Sequence, residues 1–139
     1  MTLQLEDYRA LARFRFLIRR FLQFSESAAQ EAGLEPQQHQ LMLMIRACDE
    51  AGGPTIGMAA ERLLIRHHSA VGLVDRLEEH GLVERAREGA DRREVRLRLT
   101  ARGEHTLAHL SQSHQSELRK MAPQLVEALS GLLEEWAAR

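Results

Sequence analysis

One cysteine, Cys48, occurs in 139 residues, which excludes an internal disulfide framework. No apolar run approaches the roughly 18 residues that a spanning helix needs, and the N-terminal segment is amphipathic with charges throughout rather than a leader. These absences predict a cytoplasmic protein without membrane association. Also missing are a glycine-rich phosphate loop, a nucleophile elbow and a carboxylate pair in a cleft-like context. A Cys48–His39 dyad would set its members nine residues apart on one helix, about 13 Å along the axis, so no enzyme is expected. Repeats and low-complexity linkers are absent. The net charge of -1 argues neither for nor against an anionic partner.

The cations that are present are distributed unevenly. Lysine is almost absent, with Lys120 the only one, and arginine suits bidentate contacts to phosphate and guanine. Between Arg62 and Arg102 ten arginines face seven acids, a local excess of about +3 that favours an anionic partner. Within that stretch, Ala70, Leu73, Val74 and Leu77 recur at helical spacing and Gly81 supplies a stop. The opposite face carries His68, Ser69, Val71, Gly72, Asp75, Arg76 and Glu79, with Arg66 and His67 at its start. Short side chains near the N-terminal end would let this helix sink into a major groove. Met58 to Leu64 is too short to be a stable helix alone and must pack on the next one, with Ala59 and Ala60 permitting close approach.

Val83 to Arg87 and Glu94 to Leu99 flank a turn containing Gly89 and Asp91. The second strand alternates Val95, Leu97 and Leu99 with Glu94, Arg96 and Arg98, predicting a hairpin with one packed and one cationic face. Arg92 and Arg93 fall at its tip, where an arginine could enter a minor groove beside the helix in the major groove. The order of elements is a winged helix-turn-helix. Upstream, Leu5 to Ala32 reads as a long helix on Leu11, Phe14, Ile18, Phe21 and Ala28. Pro36 opens a second, with Leu41, Met44, Ile45 and Cys48 on one stripe. Thr55-Ile56 reads as a short strand joining the wing sheet. Downstream, Thr100 caps a helix to about Met121 lined by Leu107, Leu110, Leu118 and Met121, and Pro123 starts a last one on Leu125, Leu129, Leu132 and Trp136. The expected fold is mainly α with a small β wing. One domain is predicted, with 53–100 as the DNA-binding lobe and 1–52 and 101–139 as dimerisation helices, because the winged lobe is too small to cover the terminal helices and a second subunit would.

Three segments resemble the MarR-type regulators: Gly81-Leu-Val-Glu-Arg85, Asp91-Arg-Arg93 and Leu99-Thr-Ala-Arg-Gly103. Together they are specific, and the likeness spans essentially the whole chain. The resemblance implies a homodimeric repressor of double-stranded DNA with a palindromic operator, released by a small molecule and requiring no cofactor. It assigns Arg93 to the minor groove with Asp91 orienting it and Arg92 as a second candidate. The run His68-Ser-Ala-Val-Gly72 departs from the small hydroxyl residues followed by arginine that the family often carries. Gly72, which costs a helix about 1 kcal/mol relative to alanine, fits either close approach to DNA or tight packing.

The family also implies a small aromatic or anionic effector between the dimer helices and the winged lobe, where Arg20, Phe21, Phe24, His39, Met42 and Met44 are the candidate lining; packed core is the competing reading. His105 and His109, four apart, could share zinc with His39, although they project onto a polar helix face. His67 and His68 are expected to face DNA or cap the recognition helix. Cys48 is expected to be a buried, inert thiol: peroxide-sensing relatives carry their reactive cysteine in the first helix, not the second. A winged-helix module that binds protein instead of DNA and a zinc-responsive regulator stand as alternatives.

Overall fold

The computed structural model describes residues 2–87 and 94–137, the side chains of 135 and 136 excepted. The elements run α1 (Leu5–Glu31), α2 (Pro36–Ala47), α3 (Ile56–Leu63), α4 (His67–Glu79), β1 (Val83–Ala86), β2 (Arg96–Leu99) and α5 (Ala101–Ala137). They form two compact units, a helical one of residues 1–28 and 112–139 and a winged one of 29–111.

In the winged unit, α2 packs on α3, α4 and β2, and α3 packs on α4. Ala59, Ala70, Leu73, Val74, Leu77, Val83, Leu97, Leu41 and Met42 are almost wholly buried, so the small alanines do bring the two short helices together. Each helix has a local stop and start. The Glu35 amide donates to Gln38 Oε1 at 2.8 Å as α2 begins on Pro36, and Gly81 leaves α4 with φ +71°. Strands β1 and β2 are antiparallel, with Val83 opposite Leu99, Glu84 opposite Arg98, Arg85 opposite Leu97 and Ala86 opposite Arg96. The hairpin tip, including Gly89, Asp91, Arg92 and Arg93, lies outside the described residues.

The segment before α3 contributes less to the sheet than a strand would. Thr55 makes one isolated bridge to Arg96, and the Leu97 amide donates to the Pro54 carbonyl at 2.8 Å. Extension stops there because Thr55 Oγ1 accepts the Met58 amide at 3.2 Å: the residue that meets the sheet is also the N-cap of α3, which commits Ile56 to helix.

In the helical unit, α1 and α5 run antiparallel, since Arg13 pairs with Glu127 at 3.6 Å and His114 with Ser25 at 2.7 Å. Two expectations fail here. Pro123 does not begin a helix; it lies inside α5. It leaves the Arg119 carbonyl without its usual donor, a cost of about 3 kcal/mol, but the inward stripe of His114, Glu117, Met121, Leu125, Ala128 and Leu132 keeps its three-and-four spacing across it. One continuous buried face outweighs one missing hydrogen bond. The packing stripes are also shifted. Leu17 is buried, whereas Leu11 and Ile18 on α1 and Leu118 and Leu129 on α5 are exposed. A second apolar stripe on each helix therefore faces outward, and a hydrophobic sequence pattern cannot by itself say which of two stripes is inside.

Candidate nucleic-acid interface

The α3–α4 pair is a helix-turn-helix whose second helix buries Ala70, Leu73, Val74 and Leu77. Its other side presents Arg66, His67, His68, Ser69 and Arg76 as exposed side chains, with Val71 and Gly72 half-buried. The expected contact residues of α4 thus share the outer side and its flanks. Arg66 stands at the N-cap without a side-chain cap bond, so neither histidine caps the helix. They occupy its first two positions, where backbone amides lack intrahelical acceptors and the helix dipole is positive. Arg76 lies 3.5 Å from Glu35, an exposed pair that contributes at most about 1 kcal/mol and is screened by salt.

Three carboxylates on α4, Asp75, Glu78 and Glu79, would repel phosphate, and Arg85 answers the first two. It donates to Asp75 at 2.6 Å and to Glu78 at 2.8 Å. Burial opposes its charge, but the hydrogen bond and Coulombic attraction of Asp75 and the attraction of Glu78 outweigh it and raise the guanidinium above its ordinary value. Arg85 can reach them because it sits opposite Leu97 on the same sheet face as Val83, which turns it toward α4. It therefore offsets part of the negative charge of α4 and ties β1 to that helix. Sequence reasoning placed Arg85 in a motif without seeing this role; the signal was Asp75 and Glu78, one turn apart on the helix just before it.

The strand arginines are engaged with the protein as well. Arg96 donates to the Gly53 carbonyl at 3.1 Å and to Glu94 at 2.8 Å, and Arg98 reaches the Gly52 carbonyl at 3.5 Å. The expected cationic face of β2 thus buttresses the loop before α3.

A Cβ on Gly72 would meet only the end of the Arg76 side chain, at 3.5 Å, so tight packing does not require glycine. Gly72→Ala is expected to stabilise the free protein by about 1 kcal/mol through helix propensity while weakening DNA binding. Thermal melts and anisotropy titrations of the same sample check both. Unaltered affinity would place position 72 away from DNA.

The remaining candidates are placed as follows. In the winged unit, His39 and Met42 are buried and Met44 half-buried; Met44 and the half-buried Cys48 line a cavity of about 440 Å³ with Met58 and Arg62. In the helical unit, Phe21 and Phe24 meet the His114 ring edge-on at 6.0 and 5.4 Å, and Arg20 lies over Phe16 at 5.9 Å. His114, unnoticed in the sequence, is the centre of that cluster. His105 and His109 are exposed while His39 is buried. Among the described residues no three His, Cys, Asp or Glu side chains could hold a metal, and no helix is long and apolar enough to cross a membrane.

Residues 32–94, the α2-to-wing segment, match the model of the MarR family. That segment, holding the helix-turn-helix and the first wing strand, is similar to the MarR family. Among curated proteins, an uncharacterized HTH-type transcriptional regulator of Bacillus subtilis, YsmB, is 35% identical over 72 residues, 52% of this chain and 49% of that protein; the match spans about half the relative's length. A Staphylococcus aureus MepR mutant bound to an oligodeoxyribonucleotide superposes with TM-score 0.68 at 18% identity, covering 90% of this chain and 93% of that one. CouR from Rhodococcus jostii, bound to p-coumaroyl-CoA, gives TM-score 0.68 at 21% identity over 85% of this chain and 81% of its own. The mainly α architecture with a two-stranded wing is the fold these structures share.

Proposed function

We propose that the protein is a cytoplasmic, sequence-specific DNA-binding repressor that grips a palindromic operator as a homodimer. The observation that carries this reading is the outer face of α4, where short and cationic groups are exposed while the two nearest carboxylates are held by Arg85. That face suits a major groove, and Arg92 and Arg93, with Asp91 in support, are expected to take the adjacent minor groove. The outward stripes, Ile18 and Leu22 on α1 and Val126, Leu129 and Leu133 on α5, offer the surface for a second copy, which would set two recognition helices about 34 Å apart. A small anionic aromatic effector would release DNA by favouring a lobe spacing that misfits the operator; the coenzyme A thioester held by CouR is of that chemistry.

The test is an anisotropy titration of the purified protein against the DNA upstream of its own gene and a scrambled duplex, from about 50 to 200 mM salt. Binding about a thousandfold tighter to the upstream duplex, and steeply salt-dependent, is expected. Arg93→Ala should weaken it by about 1 to 3 kcal/mol. Absence of binding to any duplex at low salt would instead favour a protein-binding winged helix.

A further inference from the structure

Leu64 closes α3 in the left-handed region, with φ 57° and ψ 40°, and it is the one non-glycine residue with positive φ among the described residues. There a Cβ crowds the following carbonyl oxygen, and glycine or asparagine is the usual occupant. Burial does not offset the strain, because Leu64 is 92% exposed, more than any other large hydrophobic residue described. Hydrogen bonding does not call for leucine either. The turn is held by backbone bonds that any residue could make here, Leu64 N–H to the Glu61 carbonyl at 3.2 Å and Ile65 N–H to the Ala60 carbonyl at 3.0 Å. The fold alone would be better served by a smaller residue at this position.

What surrounds Leu64 indicates what it meets. Near it in the chain Arg62, Arg66, His67 and His68 are exposed with one acid, Glu61, an excess of cations that favours an anionic partner, and Leu64 itself needs that partner to offer an apolar group. Duplex DNA does both, since its phosphates border a major groove into which the thymine 5-methyl group projects. Leu64 lies just ahead of the N-terminal end of α4, the end that approaches base edges in a helix-turn-helix. We infer that Leu64 is a DNA-contact residue that reads a thymine methyl at the edge of the major groove. The inference rests on the DNA-binding reading above. It makes strain in the free protein the counterpart of a contact formed only in the complex.

The test uses a duplex enriched from a random library by the wild-type protein, and the same duplex with deoxyuridine replacing every thymidine, which removes the methyls and leaves the hydrogen-bonding edges. Wild type and Leu64→Gly are titrated against both. The variant is expected to melt a few degrees higher and to bind the thymidine duplex about tenfold more weakly. Its preference for thymidine over deoxyuridine should shrink by a similar factor. Other residues that touch methyl groups affect both proteins alike, so the change in preference isolates position 64. Leu64→Asn, which also tolerates the left-handed conformation, should behave as Leu64→Gly does. Identical thymidine preferences in wild type and variants, or undiminished affinity in the variants, would overturn the inference. Failure of the wild type to enrich any duplex would overturn the DNA reading itself, and is seen before any variant is made.

Discussion

Gly103→Ala is expected to destabilise the protein by roughly 3 kcal/mol, lowering Tm by about 10 °C, although the same exchange inside a helix ordinarily stabilises by about 1 kcal/mol. The sign reverses because the first turn of α5 is pressed against the end of the α4–β1 connection. A Cβ on Gly103 would sit 2.0 Å from the Leu82 carbonyl oxygen and 3.0 Å from its carbon, and these are backbone atoms that cannot swing aside. The Thr100 amide already donates to that same carbonyl at 3.1 Å. Thr100 Oγ1 donates to the Gly81 carbonyl at 2.6 Å and accepts the Gly103 amide at 3.0 Å. Making room would therefore break a cap and two bonds that tie the start of α5 to the α4–β1 connection. Gly131, in the same helix, has nothing within 4 Å of its would-be Cβ, and Gly131→Ala should raise Tm slightly. Thermal melts of the two variants side by side check this, and equal shifts of the same sign would contradict the close approach.

Placing charges on the outward stripe of α5 should have the largest effect on DNA binding. Leu129 and Leu133 are 45% and 70% exposed and lie one turn apart, so the double variant Leu129→Glu, Leu133→Glu costs the isolated chain little. If the stripe faces a second copy, four carboxylates would have to be buried together without partners, at several kcal/mol in total. The expected result is a monomer by light scattering, with a normal circular dichroism spectrum. Operator affinity should fall about a thousandfold or more, toward the non-specific range, because one winged lobe holds only half of a palindrome. A variant that remains dimeric and binds tightly would show that association uses another surface.

Much of this protein was legible without coordinates. The helix-turn-helix, the hairpin and their order follow from residues whose meaning is local: Ala70, Leu73, Val74 and Leu77 at helical spacing, Gly81 as a stop, and alternation around Leu97. The outer face of α4 could be listed for the same reason, since the positions opposite a well-marked core stripe are outside.

Where two local signals competed, the chain alone gave the wrong answer. Pro123 carries a helix-start signal, and only the uninterrupted inward stripe from His114 to Leu132 decides that α5 continues through it. Thr55 has β propensity and capping ability, and its bond to the Met58 amide settles the matter for the helix. Two apolar stripes on each long helix left the inner one open.

Periodicity and stop residues thus determined most of the elements, because they act over a few residues. Tertiary structure alone decided that Arg85 pairs with Asp75 and Glu78, that Gly72 is free of packing duties while Gly103 is not, and that Leu64 stands exposed in a strained turn. Each of those depends on which backbone or charge lies across a gap of a few ångströms, and residues brought that close by folding leave no periodic trace along the chain.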